Sequence, residues 1–138
     1  MITRLLTFVL LLGVSWCVMT FTHECGHLFG GWVSGATLVS YDVRPWSLPY
    51  SLHSPDPNPL VTLWAGPMLG VLFPIAVAWT AKHPWGWFVA DFCMIANGVY
   101  LAVAWTSGDR LLDTRRLLDA GAHPATVVLY CGVTITVV

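Results

Sequence analysis

Three long apolar runs, separated by short polar segments, set the pattern of the chain. They cover about residues 5–35, 60–81 and 85–106, and the second and third contain no Lys or Arg. A bilayer has a hydrocarbon core of about 30 Å, which takes about 20 helical residues to cross. Each run therefore predicts a membrane-spanning helix. A fourth run, residues 125–138, would reach only about 21 Å as a helix, and predicts either a short tilted span or a segment in the membrane interface.

The long connection between the first two runs predicts a small β element. Within residues 36–59, the stretch 37–43 is rich in β-favouring residues and is followed by five prolines. Proline blocks regular structure, so we expect one strand or hairpin near the membrane surface and then an irregular loop.

The segment after the third run changes pattern again. Leu111, Leu112 and Leu118 recur on one helical side, whereas arginines occupy other sides. This pattern predicts an amphipathic helix on the membrane surface, which begins at Arg110 and ends at Gly121. Its arginines would face anionic lipid head groups.

Composition supports a membrane protein and excludes two other classes. Of the 138 residues, 57% are hydrophobic and only 9% are charged, whereas a soluble protein has about a quarter charged residues. The net charge of −1 provides no basic surface for nucleic acid. We therefore expect a single all-α integral membrane domain with three or four spans, a membrane-edge strand or hairpin, and the lipid bilayer as its surroundings.

The basic residues near the ends of the runs predict the orientation. Arg4 and Lys82 would lie on one side, and the four remaining arginines, at positions 44, 110, 115 and 116, on the other. Cytoplasmic segments carry the excess of Lys and Arg, so the N-terminus is predicted to lie outside. The alternative that residues 1–14 form a signal peptide lacks a small-residue cleavage site.

The sequence H-E-C-G-H at residues 23–27 lies inside the first apolar run and matches H-E-x-x-H. On a helix His23 and His27 are one turn apart on the same face, so both imidazoles can reach one metal ion, with Glu24 beside it. Two imidazoles and a third ligand can hold Zn²⁺ with one position open, and Glu24 can then serve as general base for peptide hydrolysis. Gly30 and Ser34 continue the histidine stripe and predict close approach of another helix.

Glu24 is the only glutamate in the chain. An unpaired carboxylate within a membrane costs about 2.5 kcal/mol or more, so a glutamate at this position indicates a compensating partner. The competing interpretation is a pair of interfacial histidines with a carboxylate that reaches out to water at the end of a span.

The third metal ligand is expected at the same membrane face as the histidines, after the third run. Asp109 is there, whereas Asp91 would lie about 27 Å away along the helix. Asp109 is also placed to cap the surface helix, so on its own it fits either role, and the two histidines favour ligation. Asp113, one turn further on, is the second candidate.

Two other polar residues, Asn97 and His53, can each be interpreted in two ways. Asn97 lies midway in the third run and must hydrogen-bond either a neighbouring helix or the backbone of a substrate, so we treat it as the candidate substrate-binding residue. His53 in the proline-rich loop is either a solvated side chain or an inhibitory ligand that covers the metal.

The chain resembles the site-2 protease (M50) family of intramembrane zinc metalloproteases in its small single-core bacterial form. The matching features are H-E-C-G-H at 23–27, A-G-P-M-L-G at 65–70, and N-G-V-Y-L with S-G-D within 97–109. The resemblance implies that His23, His27 and Asp109 bind zinc and that Glu24 is the general base. It also implies an inner-membrane location with the active site toward the cytoplasm.

The resemblance further implies a membrane protein or peptide as substrate, which would lie as a strand beside residues 37–43. Two positions depart from the family pattern, because Gly70 replaces an asparagine and Arg110 replaces a glycine. The expected function is a zinc-dependent intramembrane endopeptidase. The rival interpretations are a metal-binding membrane protein without proteolysis and a structural subunit of a membrane complex.

Overall fold

A computed structural model describes residues 2–137 as five helices and one two-stranded hairpin. In chain order the elements are α1 (Ile2–Ser34), β1 (Leu38–Asp42), β2 (Tyr50–His53), α2 (Pro59–Ala81), α3 (Pro84–Ser107), α4 (Asp113–Asp119) and α5 (Pro124–Thr136). Helices α1, α2 and α3 are long and apolar enough to cross a membrane, and they coincide with the three predicted runs. The predicted strand or hairpin is also confirmed.

The three long helices pack side by side. Helix α1 runs in the same direction as α3, since Phe8 stacks edge-on against Phe88 and Cys93 lies against the backbone of Ser15. Helix α2 returns between them in the opposite direction. The C-terminal ends of α1 and α3 and the N-terminal end of α2 therefore meet at one end of the bundle, which we call the site end.

Small residues let α1 and α2 approach closely near the site end. A Cβ atom at Gly30 would lie 2.5 Å from the Cβ of Ala65 and 3.0 Å from the Cα of Thr62. A Cβ at Gly26 would overlap the backbone of Ala65. The close approach predicted from the stripe of small residues is thus confirmed, and it brings the backbone of α2 against the face of α1 that carries the histidines.

The hairpin continues from the end of α1. Strands β1 and β2 pair antiparallel, with Tyr41 opposite Ser51. In the turn between the strands, Arg44 Nη2 lies 2.6 Å from Asp42 Oδ2, and the hydrogen bonds from Arg44 hold the pKa of the Asp42 carboxyl well below its usual range. The indole nitrogen of Trp16 donates to the carbonyl oxygen of Pro45 at 2.9 Å, which ties the turn to α1.

The segment after α3 differs from its prediction in where the helix begins. Gly108 ends α3 with a φ of 69°, a turn follows, and α4 begins at Asp113 rather than at Arg110. Leu111 is exposed, whereas Leu117 is fully buried. The buried face of this helix therefore includes Leu117 and not Leu111.

Helices α4 and α5 join the bundle through a common apolar core. Each of these four helices contributes one buried residue to the core: Leu63 from α2, Leu101 from α3, Leu117 from α4 and Val127 from α5. The 13 residues of α5 extend about 20 Å. Helix α5 returns antiparallel to α3 and reaches Gly98, where Thr134 packs, so it covers only the half of α3 nearer the site end.

Two further histidines, His83 and His123, cap the helices that follow them and lie away from the candidate centre. His83 Nδ1 accepts from the backbone N–H of Trp85 at 3.2 Å, and His123 Nδ1 accepts from that of Ala125 at 3.2 Å. Each precedes a proline at the first helical position, where the missing N–H costs nothing.

Candidate metal centre

His23 and His27 lie on adjacent turns of α1, and both are buried. Their Nε2 atoms are 3.1 Å apart. The Nδ1 atom of His23 is 2.6 Å from Asn97 Oδ1, and that of His27 is 2.9 Å from the carbonyl oxygen of Thr62. Because both partners are hydrogen-bond acceptors, each Nδ1 carries the proton and donates it, and each Nε2 keeps a free lone pair. The two lone pairs therefore face a common point.

Asn97 is fully buried and is held in one orientation. Its Nδ2 donates to the carbonyl oxygen of Cys93 at 2.8 Å, which turns Oδ1 toward His23. The amide occupies the space above Gly70, where a Cβ atom would lie 2.9 Å from both amide heteroatoms. Asn97 is thus a partner of His23 between helices. Of the two alternatives for Asn97, the structure shows the hydrogen bond to a neighbouring helix rather than an amide open to a substrate, because the amide is enclosed and engaged at both ends.

The imidazole of His27 fits against the backbone of α2. A Cβ atom at Gly66 would overlap its ring, so a larger residue there would displace the ring. The bond to the Thr62 carbonyl comes from the first turn of α2, where the carbonyl is within reach of the ring. No sequence motif marks Thr62 for this role, because its contribution is a backbone atom.

Asp113 supplies the third electron-pair donor at this point. Its Oδ2 lies 2.8 Å from the Nε2 of His23 and 3.2 Å from that of His27. Asp113 is buried, and its neighbours hold it in place: the Thr114 hydroxyl donates to the Leu101 carbonyl at 2.7 Å. The first turn of α4 is thereby fixed to α3, with Asp113 directed at the histidines.

Asp109, the first candidate for third ligand, lies apart from the histidines. Its side chain is exposed, and its Oδ1 accepts from the backbone N–H of Leu111 at 2.9 Å. It therefore caps the turn between α3 and α4. The structure thus differs from the expectation in which aspartate lies at the histidines. The side chain there is that of Asp113, because the intervening turn carries the chain outward before α4 brings it back.

Glu24 lies beside this group and is also buried. The Ser51 hydroxyl of β2 donates to Glu24 Oε2 at 3.2 Å, so the hairpin fixes the carboxylate from the side opposite the bundle. His23, Glu24 and His27 offer ligand atoms that all lie within 4.8 Å of one another and could hold a metal ion. Sequence reasoning did not single out Ser51, which only the strand register places over α1.

Two cavities meet at Glu24. The larger, about 330 Å³, extends from Glu24 and His27 to Asp109, Arg110 and Arg116, and one wall is the segment 48–52. We call it the charged cavity. The smaller, about 210 Å³, lies between α1 and the hairpin turn and has mostly apolar walls, and we call it the apolar cavity. Residues of β2, and none of residues 37–43, line the charged cavity, so the structure differs from the expectation that the stretch 37–43 borders the site.

His53 does not cover the metal-binding point. Its ring packs against Gly31, where a Cβ would overlap it, one turn beyond His27. Burial lowers the pKa of His53, and Asp56 opposes this effect. Among residues 2–137 the buried Nδ1 of His53 has no hydrogen-bond partner. The structure thus places the ring of His53 against α1, where it is partly shielded from solvent.

No family model, no curated protein and no solved structure matches this chain. Two imidazole nitrogens and one carboxylate oxygen converge on one point, and a second carboxylate stands beside them at the junction of two cavities. Such a group can bind a divalent cation and place a base next to it.

Proposed function

We propose that this chain is a zinc-dependent intramembrane endopeptidase of the site-2 protease type, with His23, His27 and Asp113 as zinc ligands and Glu24 as general base. The observation that carries the proposal is the convergence of three donors beside a buried carboxylate. A metal-binding membrane protein without proteolysis needs the three donors but gives no reason for Glu24 to stand in a cavity beside them.

The spacing of the donors supports zinc. An ion with tetrahedral geometry and bonds of about 2.0–2.1 Å separates its ligand atoms by about 3.3 Å. The three separations between the Nε2 atoms and Asp113 Oδ2 are 3.1, 2.8 and 3.2 Å. Two nitrogens and one carboxylate oxygen with a free fourth position are the donor set of catalytic zinc sites. Outer partners fix both histidines in the tautomer that such a site requires.

Glu24 has the position and the environment of a general base. When bound, zinc would supply a Lewis acid that activates water and polarises the carbonyl of a peptide bond. Glu24 takes the proton of the attacking water on one carboxylate oxygen and later delivers it to the leaving amine. The bond from Ser51 holds the carboxylate at the mouth of both cavities, where substrate and water arrive.

Strand β2 offers an edge for the substrate backbone. The described sheet has only the strands β1 and β2, so the edge of β2 away from β1 has unpaired N–H and C=O groups. This edge borders the charged cavity beside Glu24 and His27. We propose that a membrane-embedded substrate unwinds and pairs with β2 as an added strand, which places one of its peptide bonds over the centre.

The proposed membrane setting follows from the three long apolar helices. The site end carries Arg44, Arg110, Arg115 and Arg116, and the opposite end carries Arg4 and Lys82. Because cytoplasmic segments carry the excess of Lys and Arg, we propose that the site end lies at the cytoplasmic face. We further propose that the membrane is the inner membrane of a bacterial cell.

The decisive experiment compares wild type with Glu24→Gln. The purified proteins are loaded with zinc in detergent and incubated with a single-span membrane substrate, and bound zinc is measured on the same samples. We expect the glutamine variant to keep its zinc and to lose hydrolysis by about 10²- to 10⁴-fold, the contribution of a general base. Equal cleavage by both proteins would refute the assignment of Glu24. Zinc binding without any cleavage by wild type would favour the non-proteolytic interpretation.

A further inference from the structure

We propose that the apolar cavity is the subsite for one large apolar side chain of the substrate, at a residue directly flanking the peptide bond that is cut. The inference rests on the proposed function and specifies which substrates the same site selects.

The position of the cavity ties it to the scissile bond. Four residues line both cavities and mark the place where the cavities meet: Glu24, Leu48, Pro49 and Tyr100. A chain that pairs with β2 and presents a peptide bond to Glu24 has one neighbouring side chain directed toward α1. That side chain enters the apolar cavity.

The walls of the cavity are mostly apolar. Beyond His23 and Glu24, which belong to the candidate centre, they consist of Trp16, Met19, Leu48, Pro49 and Tyr100, with the hydroxyl groups of Thr20 and Ser47. Both of these hydroxyl groups are engaged: Thr20 donates to the carbonyl oxygen of Trp16 at 2.9 Å, and Ser47 donates to Asp42 at 3.1 Å. A charged or amide side chain in the part of the cavity away from the centre would lose its water with few replacement partners.

The size of the cavity favours a large occupant. Its volume is about 210 Å³, and an apolar cavity of about 150 Å³ already binds benzene. The side chains of Leu, Met and Phe fit this space, whereas Gly, Ala and Ser leave most of it empty. Since one missing methylene in an apolar pocket costs about 10- to 200-fold in kcat/KM, alanine at this position should cost at least about tenfold.

Met19 lies on α1 one turn before His23 and forms part of the wall. Met19→Trp fills the cavity, and Met19→Ala enlarges it. Met68 provides the matched control, because it lines a separate apolar hollow between α2 and α5, away from Glu24. Met68→Trp and Met68→Ala change the same residue type by the same volumes.

The first test maps cleavage sites by mass spectrometry in a mixture of synthetic single-span peptides. With wild type we expect Leu, Met or Phe to be enriched at one position flanking the cut. With Met19→Trp the enrichment should shift to Gly, Ala and Ser, whereas both Met68 variants should keep the wild-type profile. Cleavage without a residue preference, or a preference that Met19→Trp leaves unchanged, would overturn the subsite.

A second test does not depend on catalysis. The Glu24→Gln protein is irradiated with peptides that carry benzoylphenylalanine at the flanking position, and the cross-linked residue is identified by mass spectrometry. We expect cross-links to Met19, and the same probe moved four residues along the peptide should not give them. If wild type cleaves nothing, the proposed function fails, and cross-linking to Met19 still decides whether the cavity receives a side chain. Cross-links only to residues outside the cavity would refute the inference.

Discussion

If Asp113 and not Asp109 is the third zinc ligand, as proposed, the same substitution at the two aspartates should have different effects on zinc binding. Asp113→Asn replaces a buried carboxylate, 2.8 and 3.2 Å from the two histidine Nε2 atoms, by a neutral amide of the same shape. Asp109→Asn makes the same chemical change four residues earlier on an exposed side chain that caps a turn. The two variants therefore make the same chemical change, one at a buried position beside the centre and the other at an exposed position that contacts none of the proposed ligand atoms.

The expected loss of zinc affinity follows from the geometry. Removing an outer partner of a metal ligand lowers metal affinity by about 10- to 100-fold. Asp113→Asn removes the only negative charge among the three proposed ligands, so we expect a loss of at least about 100-fold, or about 2.8 kcal/mol. Asp109→Asn should leave zinc affinity unchanged within about twofold, since nothing at Asp109 contacts a ligand atom in residues 2–137.

The assay is competition for zinc with a chelator of known affinity, followed in detergent by metal analysis of the protein fraction. The thermal unfolding temperature of each metal-free protein shows that both variants fold. Equal zinc affinities for the two variants, or a larger loss in Asp109→Asn, would refute the assignment. Loss of zinc in Glu24→Gln with retention in Asp113→Asn would make Glu24 the third ligand, which the close grouping of His23, Glu24 and His27 also allows.

Three further predictions test how the centre is held and oriented. Gly70→Ala should displace Asn97 from His23 and weaken zinc binding by about 10- to 100-fold in the same chelator competition. The control Gly13→Ala should leave zinc binding unchanged, because a new Cβ there meets nothing within 4 Å. Thr114→Val removes the bond to the Leu101 carbonyl and should lower the free energy of unfolding by about 1 kcal/mol in thermal denaturation. Ser54→Cys should react with a membrane-impermeant thiol reagent only after cells are opened, and labelling in intact cells would invert the proposed orientation.

The long elements of the fold were predictable because their signals are local. Each apolar run contains the information for a spanning helix within about 20 residues, and the β-favouring stretch marks β1 in the same way. The sequence pattern predicts that α4 begins at Arg110, three residues too early, because Leu111 and Leu112 fit the apolar face of that pattern. In the structure Leu117 is the buried leucine, and it lies one turn after Asp113. Because Leu117 is buried, Asp113 one turn earlier lies on the same inner face, so its position beside the histidines agrees with helical periodicity once the helix begins at Asp113.

Other parts of the centre could not be read from the sequence because they depend on contacts between distant segments. Ser51 reaches Glu24 only because the hairpin folds back over α1, and Thr62 takes part through its carbonyl oxygen. Neither contribution leaves a residue pattern. That β2 rather than β1 lines the charged cavity has the same origin, since both strands precede α2 and only the tertiary arrangement decides which one borders the cavity.

The structure gives a physical reason for the glycine at position 70. The site-2 protease family, which the sequence resembles, has an asparagine at this position, whereas in this chain the space beside Gly70 is filled by the amide of Asn97 from α3. Two side chains cannot occupy that space, because even a Cβ at position 70 would lie 2.9 Å from the amide. The glycine is thus what permits Asn97 to reach His23 and fix its tautomer. In the proposed zinc site, the amide at this place therefore comes from α3 and bonds the Nδ1 of His23.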